Sequence, residues 1–150
     1  MDAYDQKILA ELQKNGRLSL TELSERIGLS LSPCQRRMRA LEQSGVISGY
    51  RAMISPAAVG LNFSAIVFIT LRDASSSMVR SFDAALVDIP EVVSADRLFG
   101  DPDYMLHIVT KDLDAFQALY DQHLATLPGV LRLSSTLVMK SIVKNRPLAL

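Results

Sequence analysis

Gly28-Leu29-Ser30-Leu31-Ser32-Pro33-Cys34-Gln35-Arg36-Arg37-Met38-Arg39-Ala40-Leu41 is the stretch on which the fold turns. Gly28 tolerates the left-handed conformation in which helices commonly end. A new helix begins soon after it. Either Ser30 caps this helix with Pro33 in the first turn, or Ser32 caps it with Pro33 at the first helical position and Gln35 completing a capping box. Cys34, Met38 and Leu41 recur at helical spacing and form the buried stripe, so Gln35, Arg36, Arg37 and Arg39 lie off it and reach solvent. The helix closes at Ser44-Gly45. Cys34 shares its face with Met38 and Leu41 and reads as a small core residue rather than a redox sensor.

Upstream, Asp2 is placed to cap a helix with apolar positions Ile8, Leu9 and Leu12, which stops at Asn15-Gly16. A second helix follows, capped by Ser19 or Thr21, with Leu20, Leu23 and Ile27 on one face and Gly28 at its end. Two short helices joined by a tight Gly-containing turn, the second bearing arginines near its start, describe a helix-turn-helix whose third helix enters the major groove. Arginine bonds guanine bidentately or neutralises phosphate, and Gln35 pairs with adenine. Ser32 is small enough to let the helix end approach the groove, where its backbone N–H groups hold a phosphate oxygen. After Gly45, Val46-Ile47-Ser48-Gly49-Tyr50-Arg51-Ala52 is β-prone around a glycine and predicts a short ribbon, or wing, whose Arg51 touches the DNA backbone.

Charge supports this division. The chain carries 16 basic and 16 acidic side chains, a formal net of zero. Residues 1–52 hold eight basic against six acidic, a net of +2; residues 28–52 hold four arginines against Glu42, a net of +3; residues 53–150 hold eight against ten, a net of −2. Neutrality is an average over two unlike pieces and does not exclude a nucleic-acid partner. A hydrophobic content of 49% excludes a disordered chain. Residues 1–12 show no signal-peptide apolar region, and the longest nearly unbroken apolar run, 65–71, is far too short to span a bilayer. A cytoplasmic protein with no membrane partner is expected. Cys34 has no internal disulfide partner, and the sequon Asn62-Phe63-Ser64 has no meaning without secretion.

Residues 53–63 contain Pro56 and Gly60 and read as a linker between a domain at 1–52 and another at 64–150. The second reads as strand (64–71), helix (77–87), strand (92–99), strand (104–110), helix (113–127) and strand (130–139). Its halves echo each other: Asp88-Ile89-Pro90-Glu91-Val92 and Thr126-Leu127-Pro128-Gly129-Val130 punctuate them alike. Two βαβ halves make a ferredoxin-like βαββαβ sandwich, so the fold class is α+β. In the first strand Ile66 and Phe68 oppose Ala65, Val67, Ile69 and Leu71, which leaves both sheet faces apolar; a second copy is the economical cover for the open one. Between the middle strands, Phe99-Gly100-Asp101-Pro102-Asp103-Tyr104 is a turn whose two carboxylates are suited to the amino group of a small ligand.

The whole chain resembles the leucine-responsive and asparagine regulator family, Lrp/AsnC. The resemblance is carried by Asp5-Gln6-Lys7-Ile8-Leu9, Asn15-Gly16-Arg17, Gly28-Leu29-Ser30, Pro33-Cys34-Gln35-Arg36-Arg37, Leu41-Glu42-Gln43-Ser44-Gly45-Val46-Ile47, Gly49-Tyr50, Gly100-Asp101-Pro102-Asp103-Tyr104, Leu127-Pro128-Gly129-Val130 and Val143-Lys144. It implies an N-terminal winged helix-turn-helix on double-stranded DNA, with Ser32, Gln35, Arg36, Arg37 and Arg39 as contacts. It further implies a C-terminal domain that pairs into homodimers, often octamers, and an amino acid effector held by Gly100, Asp101, Asp103, Tyr104, Thr136 and Leu137. Leu31-Ser32 departs from the family's common Pro-Thr, and Pro102 sits inside the effector turn. The implied function is a transcription regulator answering to a small amino acid; the alternative is an architectural DNA-binding protein without effector. Little speaks for an enzyme or a metal: His107 and His123 lack partners at ligand spacing, and neither a nucleophile elbow nor a phosphate loop occurs.

Overall fold

The computed structural model describes residues 1–150, which form two compact units: Met1–Met53 with Ile142–Leu150, and Ile54–Ser141. The division at Met53 lies one residue from the expected boundary. Residues 54–63 belong to the second unit, where Ala57–Val59 make a single 3-10 turn, so the expected linker is corrected. The last nine residues also move: assigned by sequence to the second domain, they pack with the first. The Gln13 side chain holds them, accepting from the Leu148 N–H at 2.6 Å and donating to the Leu148 carbonyl at 3.3 Å. No local pattern announces a pair so distant in the chain.

The first unit is built from α1 (Ala3–Lys14), α2 (Leu20–Ile27) and α3 (Leu31–Gln43) around Ile8, Leu9, Leu23, Ile27, Cys34 and Leu41. Asp2 caps α1 reciprocally with Asp5, and Ser19 caps α2 reciprocally with Glu22. Gly28 ends α2 at φ 71°, where a side chain would be strained. Residues 46–52 form no strand, which corrects the expected ribbon. Instead the Ile47 N–H bonds the Leu41 carbonyl at 3.0 Å, closing the end of α3, and the Tyr50 hydroxyl donates to Glu42 at 3.0 Å.

These carboxylates carry a pH dependence. Asp2 is held below the ordinary carboxylate range chiefly by the Asp5 N–H, Glu22 chiefly by the Ser19 N–H, and Glu11 by Lys14 and then Arg26. A lowered folded-state value means stability that is fully present above the unfolded values of about 4 and is lost as pH falls through the lowered ones. The helix-turn-helix unit is therefore expected to melt at lower temperature at about pH 3 than at about pH 6, followed by helical circular dichroism. Asp2→Asn with Glu22→Gln flattens that dependence. A melting temperature equal at both pH values in the unsubstituted chain sinks the prediction.

The second unit contains β1 (Phe63–Leu71), α4 (Ser76–Val87), β2 (Val92–Arg97), β3 (Tyr104–Thr110), α5 (Leu113–Leu119) and β4 (Val130–Leu137). The strands pair antiparallel in the order β2-β3-β1-β4, the expected βαββαβ arrangement. α5 is shorter than the expected helix because the chain widens into a π-type turn over Tyr120–Leu124. Alternation along β1 buries Ala65, Val67, Ile69 and Leu71 with Phe82, Leu86, Phe116 and Leu119 from the helices. Ile66 and Phe68 lie on the opposite face beside His107 and Met105, half-buried; there His107 Nε2 and Ser64 Oγ are 2.7 Å apart. No helix of the chain is long and apolar enough to cross a membrane.

Candidate nucleic-acid interface and ligand site

Helix α3 presents two unlike sides. Cys34 and Leu41 are buried and Met38 is half-buried, while Ser32, Arg36 and Arg39, at i, i+4 and i+7, lie opposite them and are exposed. Gln35 flanks this exposed face and is half-buried. Ser30 is the N-cap and Pro33 lies in the first turn, which decides between the two starts the sequence allowed. Unlike α1 and α2, α3 has no side-chain cap and no acidic residue in its first turn. Its leading N–H groups are thus left to an outside acceptor, and the helix dipole favours a negative one.

Arg37 is placed elsewhere. Its Nη1 lies 2.8 Å from Asp2 and 2.9 Å from Asp5, and the guanidinium sits over the Tyr4 ring at 5.6 Å. Both carboxylates raise its already high pKa, Asp5 first. This corrects its expected place among the DNA contacts: Arg37 clamps α3 to the start of α1. Arg36, Arg37 and Arg39 cannot all share one helical side, and the middle arginine is the one turned inward towards α1. Arg51 is exposed and lines a hollow of about 610 Å³ with Lys14, Arg17 and Tyr50, apart from the recognition face.

In the second unit the turn before β3 holds the expected ligand residues in three different situations. Gly100 has φ 142° with nothing within 4 Å of where a Cβ would sit, so glycine serves the backbone conformation and leaves the space open. Asp103 is committed to the fold: its Oδ2 accepts from the Leu71 N–H at 2.7 Å, its N–H donates to the Ile69 carbonyl at 2.9 Å, and its carbonyl accepts from the Leu98 N–H at 2.7 Å. Tyr104 is 2% exposed and its hydroxyl donates to Asp83 at 2.7 Å. Burial, then Asp83, pushes that phenol up to about 12. Tyr104 therefore supports the turn from beneath, which corrects its expected place in the ligand contacts.

Asp101 alone offers its carboxylate outward. It accepts from the Thr70 hydroxyl at 3.0 Å and from Arg132 Nη2 at 3.2 Å. Thr136 pairs with Ile66 and shares the open face, whereas Leu137 pairs with Ala65 at the end of β4, on the opposite face, and is exposed, which separates two residues expected to act together. Thr70, Arg132 and Ser134 join the cluster, and the sequence reading missed them. Counting back by two from Thr136 along β4 reaches Ser134 and Arg132; that alternation was the available signal.

An expected result follows for Asp103. Replacement by alanine removes the acceptor for the Leu71 N–H and costs about 2 kcal/mol without any ligand present, measured by urea denaturation. Unchanged stability with lost ligand response would return Asp103 to the ligand contacts.

A family profile described as the Lrp/AsnC ligand binding domain matches residues 64–148, and one described as a winged helix-turn-helix DNA-binding domain matches residues 1–48. The chain is 37% identical to a proline dehydrogenase transcriptional activator of Rhodobacter capsulatus, over 97% of this chain and 94% of that one. It is 36% identical to the leucine-responsive regulatory protein of Salmonella typhimurium, over all of this chain and 92% of that one. Among solved structures, a transcriptional regulator of Neisseria meningitidis in complex with L-Met matches with a TM-score of 0.94 and 38% identity, over 99% of this chain and 96% of that one.

Proposed function

Since the chain belongs to the Lrp/AsnC family of transcription regulators, with a DNA-binding helix-turn-helix and an amino-acid-binding domain, we propose that it is a cytoplasmic, sequence-specific regulator whose DNA binding answers to a free amino acid. The observation that carries the DNA reading is the exposed side of α3: Ser32, Arg36 and Arg39 stand together beside unspent first-turn N–H groups, with no carboxylate in that turn. Arginines so placed read guanine or bind phosphate. Gln35 flanks them as a secondary contact, and Arg51 meets the backbone.

A homodimer formed through the open sheet face is part of the same proposal. Ile66, Phe68 and Met105 there have no covering element in their own unit, and a self-complementary apolar face is what a two-fold pair buries. Linking two DNA-binding domains raises avidity beyond what a +2 domain achieves alone. Assembly of such dimers into octamers brings further effector-bearing edges together.

Operator binding measured across salt, with and without each common L-amino acid, tests this. The neighbour from Neisseria meningitidis was solved with L-Met, so methionine is the first ligand to try. Affinity is expected to fall at least tenfold between about 50 and 200 mM salt, and to change when one amino acid is added. Salt-insensitive binding sinks the DNA interface. Binding indifferent to every amino acid favours the architectural alternative.

A further inference from the structure

Residues 142–150 follow the second unit in sequence, yet they pack with the first. The polypeptide therefore joins the two units twice, between Met53 and Ile54 on the way out and between Ser141 and Ile142 on the way back. One connection suffices to attach a helix-turn-helix to its neighbour. The second has a built seat.

Gln13, on α1, holds the segment by its backbone. Its Oε1 accepts from the Leu148 N–H at 2.6 Å and its Nε2 donates to the Leu148 carbonyl at 3.3 Å, so one side-chain amide engages a whole residue of main chain, as a neighbouring strand would. Leu148 and Leu150 line a hollow of about 330 Å³ with Leu9 and Leu12 of α1 and with Val46 and Ile47 after α3. The seat thus spans α1 and the chain that closes the recognition helix. It is shallow, with Leu148 74% exposed and Leu150 53%, and would be weak for a free peptide. Here the peptide is attached. The Val138 N–H bonds the Ser64 carbonyl at 3.0 Å just after β4, and only residues 139–147 separate Val138 from Leu148. A connection that short supplies an effective concentration in roughly the millimolar range, enough to occupy a weak seat. Asn145, a residue type that tolerates its φ of 46°, bends the connection, and Pro147 fixes the backbone just before the held residue. Proline there also reduces the freedom lost on docking.

Building on the homodimer proposed above, we propose that residues 142–150 are a strap, with Gln13 as its positioning residue, that ties the DNA-binding unit to the effector-bearing unit at a second point. A domain on one flexible tether turns freely, whereas a domain on two keeps a preferred orientation. A dimer on two half-sites needs that preference, because half-sites set whole helical turns apart admit only matching orientations of the two DNA-binding units. The strap acts in engaging two half-sites together and contacts neither. It carries Lys144 and Arg146 and no carboxylate, so it does not repel the DNA.

The test uses the full-length protein without added amino acid, and operator DNA bearing two half-sites or only one, titrated across salt. The unsubstituted chain is expected to bind the two-half-site DNA at least about a hundredfold more tightly, and its Leu148 amide to exchange hydrogen more slowly than in an unfolded peptide. Gln13→Ala removes both bonds to the strap, and Leu148→Pro removes the donated N–H without touching α1. Each is expected to speed exchange across residues 142–150 and to weaken two-half-site binding by about tenfold. One-half-site binding, its salt slope and the melting temperature stay unchanged. Unchanged two-half-site affinity in both variants, with exchange freed, overturns the strap. Rapid exchange at Leu148 in the unsubstituted chain does the same. Equal losses on both DNAs also overturn it, because they mark a defect within the DNA-binding unit itself. If the unsubstituted chain binds one and two half-sites equally, the homodimer falls, and this inference with it.

Discussion

Alanine at both Arg36 and Arg39 is expected to weaken operator binding by about 10³-fold at fixed salt while leaving the melting temperature unchanged. The two side chains are exposed on the side of α3 opposite Cys34 and Leu41, and neither makes an ion pair within the chain. A bidentate arginine contact to guanine is worth about 1–3 kcal/mol, so two together lose about 4 kcal/mol. Arg37→Ala is the informative control. Its guanidinium is held by Asp2 and Asp5, so its loss is expected to lower the melting temperature while the folded protein keeps its affinity within a few-fold. Fluorescence anisotropy on operator DNA, paired with thermal melts, separates the two behaviours. Equal affinity losses for Arg37 and for Arg36 with Arg39, at unchanged melting temperature, would show that α3 meets DNA along a different side.

Phe82→Ala is expected to cost the second unit about 3–5 kcal/mol, a large part of a domain's usual 5–15 kcal/mol. Phe82 is 0% exposed between α4 and the sheet, and its ring centre lies 4.4 Å from that of Tyr104. Truncation leaves a cavity beneath the turn from Gly100 to Asp103, so the ligand response is expected to weaken along with stability. Urea denaturation with an unchanged slope gives the stability change. A loss below about 1 kcal/mol would mean the core closes over the gap, because a cavity's cost depends on how well its walls collapse.

How far the sequence reached is clearest at α3 and β4. Helical spacing of Cys34, Met38 and Leu41 located the buried stripe and therefore the exposed arginines, because a helix has one fixed angular step per residue. The same rule set Arg37 off the stripe and towards solvent with the other arginines, because its partners, Asp2 and Asp5, lie at the start of another helix that the spacing does not see. For β4 the alternation of two separates Thr136 from Leu137, and it reaches Arg132 without saying that Asp101 meets it there. That meeting depends on β4 lying beside β1 and on the turn before β3 reaching Thr70.

By itself the sequence determined the local features: the start of α1 at Asp2, the end of α2 at Gly28, the arginine-bearing helix that closes at Ser44, the βαββαβ order, and the uneven charge beneath a net of zero. These follow from caps, turns and periodicities that act within a few residues. The tertiary structure alone decided which polar side chains remain available. Arg37, Asp103 and Tyr104 are engaged by Asp2 and Asp5, by the Leu71 N–H and by Asp83, while Arg36, Arg39, Asp101 and Arg132 still face outward. It also sent the last nine residues back to Gln13. The physical reason is common to all of these. A charged or polar group is spent or spared by partners far away in the chain, and only folding sets them within hydrogen-bonding distance.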